Sequence, residues 1–310
     1  TGEPARSGVI LEAGRLAEIA WQQQGYAKAE VIERRVIAAH RNDTIDATLV
    51  VEPGRHAVFG PLTVSGTERM DAAFVARQTG IRPGNEYDPD DLERASERLS
   101  RLGVFRSSRI LEAETIGPDG TLPIDIVVQE RLLRRFGIGG SYSTVDGLGL
   151  EAFWLHRNLF GRAEQLRVEG KVAGIGESID PRDFTYRAGA TFTKPGIYTP
   201  ETDFVASLFG DREVLDVYTR TGVSAEAGFT HRFSDEITGR LFVNAAYGKF
   251  EDDFGTRATT LSMRPRAFSP SLPWSHSTNS TMATQQLGSW QRAAPITAST
   301  RKAASSLLAG

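Results

Sequence analysis

Residues 85–92 read Asn85-Glu86-Tyr87-Asp88-Pro89-Asp90-Asp91-Leu92, and residues 98–105 read Arg98-Leu99-Ser100-Arg101-Leu102-Gly103-Val104-Phe105. Asp88 has the short acceptor side chain that caps a helix start, Pro89 fits the first helical position, and Asp90 and Asp91 suit the positive end of the helix dipole. Leu92, Ala95, Leu99 and Leu102 recur at helical spacing, and Gly103 supplies the stop. Working outward, Ala57-Val58-Phe59 to Val64 predicts a strand, Ser65-Gly66 a turn, and Asp71 to Thr79 a short helix ended by Gly80. After Gly103, Val104 to Leu111 and Ile124 to Val128 predict two more strands around a Gly117-Pro118-Asp119-Gly120 turn. The order strand, helix, helix, strand, strand gives two helices to cover one sheet face.

Further upstream, Ser7 caps a helix whose one face carries Ile10, Ala13, Ala17, Ala20 and Trp21 and which stops at Gly25. Two strands follow, Val31 to Ile37 and Thr44 to Val51, with a turn at Arg41-Asn42-Asp43. The tyrosine-led cap of Tyr87, Asp88 and Pro89, with the Leu102-Gly103-Val104-Phe105 run, resembles the polypeptide-transport-associated (POTRA) domain. Tyr87, Asp88, Pro89, Gly103 and Phe105 are the residues that carry this likeness. It places a complete POTRA domain at 55–134 and part of a preceding one at 1–54.

From Phe136 the pattern changes to alternation at the length of about 9–11 residues that a tilted membrane strand needs. Leu166, Val168 and Val172 alternate with Arg167, Glu169 and Lys171, and Tyr186, Ala188, Ala190 and Phe192 with Arg187, Gly189 and Thr191. Val217 to Phe229 continues the pattern. Asp146-Gly147 signals a type I′ hairpin turn, and Lys194-Pro195-Gly196, Asp211-Arg212-Glu213 and Ser234-Asp235-Glu236 read as further breaks. About seven strands are expected by Phe250, too few to close a barrel. A soluble sandwich alternates as well, but with shorter strands.

Ser143-Thr144-Val145-Asp146-Gly147-Leu148-Gly149, followed by His156-Arg157-Asn158-Leu159-Phe160-Gly161-Arg162-Ala163-Glu164, resembles the start of the barrels that follow POTRA domains. The whole pattern is similar to the TamA-like and BamA-like outer-membrane assembly and translocation family. The fold class expected is therefore α+β POTRA modules followed by an incomplete antiparallel transmembrane β-barrel over 135–255. The resemblance implies Gly137, Gly139, Ser141 and Ser143 as the lateral seam where a client strand enters. Arg157, Asn158, Leu159, Phe160 and Gly161 read as a tight structural turn packing Phe160. It implies outer-membrane protein clients, a periplasm-spanning inner-membrane partner subunit and a lipid bilayer as partners. The localisation implied is the bacterial outer membrane, with the N-terminal domains in the periplasm.

Charge divides the chain unevenly. Residues 1–255 hold 30 basic against 39 acidic residues, whereas the last 55 hold six basic and no acidic residue. Residues 256–310 accordingly read as an unstructured tail, and the loss of every carboxylate at one point suggests a shifted reading frame near Gly255. A formal net charge of −3 gives no basic excess for nucleic acid. With no cysteine there is no disulfide framework or thiolate zinc site, and the five histidines lack metal-ligand spacing. Glu251-Asp252-Asp253 reads as a solvated loop rather than a calcium site. Gly137-Ile138-Gly139-Gly140 has no following helix to cradle a phosphate, so it reads as a bend in a strand. No cofactor and no catalytic residue are expected. A two-partner secretion transporter and a secreted β-rich enzyme remain as alternative readings.

Overall fold

The computed structural model describes residues 7–39, 44–143, 147–175, 180–215, 218–252 and 257–267. It begins with helix α1 (Ser7–Gln22) and a two-stranded antiparallel sheet of β1 (Glu30–Ala39) and β2 (Thr44–Glu52). The expected turn at 41–43 lies outside the described residues.

The next module runs β3 (Val58–Ser65), α2 (Ala72–Thr79), α3 (Pro89–Arg101), β4 (Phe105–Glu112) and β5 (Thr121–Glu130). Its sheet has the order β3-β5-β4, with β3 parallel to β5 and β4 antiparallel to it. Both helices start on aspartates. Asp71 accepts hydrogen bonds from the N–H groups of Ala73 and Phe74, and Asp88 accepts from Asp90 N at 2.9 Å. Each stops at a glycine in the left-handed region, Gly80 (φ 77°) and Gly103 (φ 67°), which a β-carbon would strain. The alternation of β5 puts Leu122, Ile124, Ile126 and Val128 in the core with Phe59, Phe74, Val75, Tyr87, Leu99 and Phe105. At about 1.5–3 kcal/mol per fully buried large apolar side chain, this cluster is what holds the module together.

Strands β6 (Arg134–Ser143), β7 (Gly147–His156), β8 (Gln165–Ile175), β9 (Thr185–Lys194), β10 (Thr202–Leu215), β11 (Tyr218–Arg232), β12 (Thr238–Asp252) and β13 (Arg257–Ala267) form one antiparallel meander. Each strand pairs with its chain neighbours, and β6 and β13 are the edges of the described sheet. The cross-strand register puts Phe136 opposite Trp154, Val168 opposite Ala190 and Val223 opposite Tyr247, so apolar residues gather on one face. The other face collects Glu151, Arg167, Glu169, Lys171, Arg187 and Glu226 by the same parity. Among the described residues no layer covers the apolar face: Ile138 is 92% exposed and Leu208 57%.

Three expectations are corrected. The structureless tail does not begin at 256, because Arg257–Ala267 pairs along β12 as an eighth strand of this sheet. Asp211-Arg212-Glu213 is no turn but the continuation of β10. Its carboxylates are accommodated because Arg220 of β11 lies 3.5 Å from Asp211 and 3.4 Å from Glu213. Gly147 does not stand at the centre of a two-residue turn: Ser143 pairs with Gly147, so the connection is 144–146, outside the described residues, and Gly147 opens β7 with φ 65°. Val217 and Asp253 also lie outside the described residues.

Candidate functional site

Two groups of residues emerge from the chain, and they lie on different elements. The first is the open edge. Gly137, Gly139, Ser141 and Ser143 stand on β6 opposite Phe153, Glu151, Gly149 and Gly147 of β7. Gly137, Gly139 and Ser141 share one side of the strand, because side chains alternate, while Phe136, Ile138 and Tyr142 on the other side are 73%, 92% and 78% exposed. On its other edge β6 has no strand neighbour among the described residues. On that side its N–H and C=O groups have no strand partner among the described residues.

The second group is the turn between β7 and β8, where the residues form a joint. Asn158 is buried; its side-chain amide donates to Arg69 O at 3.2 Å, and its Oδ1 accepts from Ala163 N at 3.1 Å. Asp71 N donates to Gly161 O at 2.8 Å, and Arg162 Nε donates to the Asp71 carboxylate at 3.2 Å. Gly161 (φ 93°) brings its backbone so close that a β-carbon there would lie 3.3 Å from Arg69 O. Ala163 is fully buried and completes the core of the upstream module, and Glu164 is buried as well. On the other side, Arg157 donates from its backbone N–H to Leu133 O (2.8 Å) and from Nη1 to Leu132 O (2.9 Å). Those two carbonyls belong to the linker that enters β6, so one turn grips both the upstream module and the root of the open strand.

Phe160 departs from expectation. It is 73% exposed, and the turn is held by polar groups instead, above all Asn158 and the Asp71 carboxylate. Asp71 therefore serves helix α2 and the joint together. Burial pulls its pKa up, but the N–H groups of Phe74 and Ala73 and the Arg162 guanidinium outweigh this and hold it below the usual carboxylate range. Nearby, Glu130 Oε1 accepts from the N–H groups of Glu68, Arg69 and Met70 at 2.8–2.9 Å, fixing the loop that Asn158 contacts. Those three donors also outweigh burial and lower its pKa.

A second turn supports the far end of α2. Gln78 Nε2 donates to Pro200 O at 2.9 Å, Arg98 pairs with Glu201, and Gln165 Nε2 donates to Leu102 O at 3.0 Å. Contacts of this kind are not legible in sequence, since partners lie 60 or more residues apart. Asp71 alone had a local signal, as the residue opening a short helix.

Tyr87, Asp88, Pro89, Gly103 and Phe105 belong to the upstream module. Pro89 opens α3, Gly103 follows its end and Phe105 starts β4 in the core. The buried Tyr87 ring donates its hydroxyl to Glu112 Oε1 at 2.6 Å, and burial followed by that carboxylate pushes the phenol pKa far up. Glu112 also pairs with Lys28 at 3.1 Å, tying the module to the one before it. Among the described residues there is no cluster of acids and histidines fit to hold a metal ion.

Comparison with known proteins agrees with this geometry. Residues 57–131 match the POTRA family described as a surface antigen variable number repeat, and residues 158–294 match the Omp85 superfamily domain. The second match runs across Gly255, past the point where the carboxylates end. The outer membrane protein assembly factor BamA of Nitratidesulfovibrio vulgaris is 25% identical over 210 residues, covering 68% of this chain and 25% of the relative. The chain thus spans about a quarter of that relative's length. The crystal structure of Haemophilus ducreyi BamA lacking POTRA domains 1–3 superposes with a TM-score of 0.65 at 14% identity, over 86% of this chain and 53% of that one. CdiB from Acinetobacter baumannii gives 0.51 at 10% identity, over 86% and 55%. The chain thus carries a POTRA domain at 57–131 joined to a segment, 158–294, that matches the Omp85 superfamily domain and whose described strands lie in an unclosed antiparallel sheet resembling the BamA barrel.

Proposed function

We propose that the chain works in the assembly of outer-membrane proteins, with the free edge of β6 as the seam where a client's strand is added. The observation that carries this reading is the β6 edge facing away from β7, which has no strand partner among the described residues, is lined on one side by Gly137, Gly139 and Ser141, and is followed by seven strands paired in order. Strand addition needs only such an edge, because main-chain hydrogen bonds supply the affinity. No nucleotide is needed; the driving force is the client's own burial in lipid and the closure of its backbone hydrogen bonds. The protein resides in the outer membrane with its POTRA domain on the periplasmic side. There the joint at 157–164 holds the POTRA domain under the seam, so a client bound along a POTRA edge strand is delivered next to β6. A periplasm-spanning inner-membrane subunit, engaging the N-terminal modules, is the partner that fits a translocation and assembly module. The fold likeness to CdiB favours a second reading, a two-partner secretion transporter, in which the substrate passes through the lumen instead of joining the wall.

The test is site-specific photocrosslinking in cells during arrested client assembly. Probes at Gly140 on β6 and at Ala190 on the interior strand β9 should give a client adduct at Gly140 only. Adducts at lumen-face positions such as Glu169, with none at Gly140, would replace assembly by secretion.

A further inference from the structure

We propose that Phe153 is the positioning residue of the seam, its ring clasping β6 at Gly137 while Arg167 holds the ring from the other side. Gly137 and Phe153 face each other across β6 and β7. A β-carbon at Gly137 would lie 2.1 Å from Phe153 Cε1 and 2.6 Å from Cζ, so the ring fills the space a side chain would take and lies on the backbone of β6. The guanidinium carbon of Arg167 on β8 is 4.1 Å from the ring centroid, and that of Arg135 is 5.8 Å away. Arg167 is in turn fixed by Glu169 at 2.6 Å. The stack therefore spans three strands and is built from a glycine that admits the ring, an aromatic that covers it and a cation on the π face.

The arrangement recurs inside the sheet. Gly189 of β9 faces Phe209 of β10, a β-carbon there would lie 2.2 Å from Phe209 Cδ1, and Arg187 sits 4.7 Å from that ring's centroid. The two copies differ in their surroundings. Strand β9 is hydrogen-bonded on both sides, whereas β6 is bonded to β7 alone among the described strands. On β6 the remaining large side chains add little, since Phe136, Ile138 and Tyr142 are mostly exposed. An anchor that is redundant at Gly189 is thus the main side-chain hold at Gly137. The clasp keeps β6 in register as a template; losing it lets the strand fray from its partner. This deepens the assembly reading, since it assigns a residue that governs how the seam strand is presented.

Hydrogen exchange of the 310-residue chain in detergent micelles, without any client, tests the clasp. Phe153→Ala should speed exchange of the amides in 134–143 by about threefold to thirtyfold, while Phe209→Ala leaves that segment unchanged. Arg167→Gln, which keeps the ring, should give a smaller rise confined to the same segment, and it serves as the readout if Phe153→Ala does not fold. Unchanged exchange of 134–143 in Phe153→Ala, or in Arg167→Gln where that variant is the readout, would overturn the proposal. So would an equal rise in Phe209→Ala. A failure of client crosslinking at β6 would sink the assembly reading and leave this exchange result standing.

Discussion

The POTRA domain and the eight-stranded sheet use the same alternation of apolar and polar residues with opposite results. In β5, Leu122, Ile124 and Ile126 are fully buried beneath α2 and α3. In the sheet, Phe136, Ile138, Leu208, Val223 and Leu241 are between 50% and 92% exposed, with no layer over them among the described residues. Alternation alone specifies two faces, and what lies against the apolar one decides which solvent the sheet needs. The POTRA domain supplies its own cover with two helices; the sheet leaves that role to lipid.

The largest effect expected from this contrast is all-or-none. Residues 56–131 should be a soluble, cooperatively unfolding domain, while 134–267 should aggregate in plain buffer and stay dispersed only in detergent, as sedimentation would show. A monodisperse sheet fragment in buffer would break the comparison. Next in size, Leu99→Ala in the isolated POTRA domain should cost about 2–5 kcal/mol in denaturant unfolding, because the side chain is fully buried. Ile138→Ala in micelles should cost far less, the side chain being almost wholly exposed. Smaller again is Asp88→Ala, expected to lower POTRA stability by about 0.5–2 kcal/mol through loss of the α3 cap.

The smallest effect is a pH dependence at Glu130. Its carboxyl is held below its ordinary 4.5 by three backbone donors. The stability it contributes is complete above that ordinary value and is lost as the pH falls through the lowered folded value. Glu130→Gln should therefore be less stable than the parent at neutral pH, with the gap closing as the pH drops below about 4.5 in equilibrium unfolding. A gap that stays constant with pH would show that the carboxylate charge is not what fixes the loop before α2.

Local signals made the POTRA domain legible. Asp71, Gly80, Asp88, Pro89 and Gly103 each carry a cap or stop whose chemistry depends on near neighbours alone, and the structure ends α2 and α3 at or within two residues of them. The strands of the sheet were legible by their period, up to the seventh at Thr238–Asp252. What failed required knowledge of a neighbouring strand. Asp211 and Glu213 read as a break until Arg220 is placed across from them. Strand β13 lacks acidic residues and contains Pro265, which cannot donate to a ladder but is tolerated on an edge strand. The motif at 157–161 was visible as a string, yet its joint role depends on Arg69 and Asp71, some 90 residues away. Phe160, the most conspicuous apolar residue of that string, is mostly exposed.

Spin labels along the strands in lipid vesicles show whether one face of the sheet is a lipid face. Labels at Ile138, Leu208, Val223 and Leu241 should be relaxed by oxygen, which partitions into lipid, and shielded from a water-soluble nickel complex. Labels at Glu151, Glu169 and Glu226 should show the reverse, as should Leu111 and Val127, the exposed apolar residues of the POTRA domain. Equal access of the nickel complex to Leu208, Val223 and Glu226 would contradict the account, leaving a sheet that stands in water on both faces.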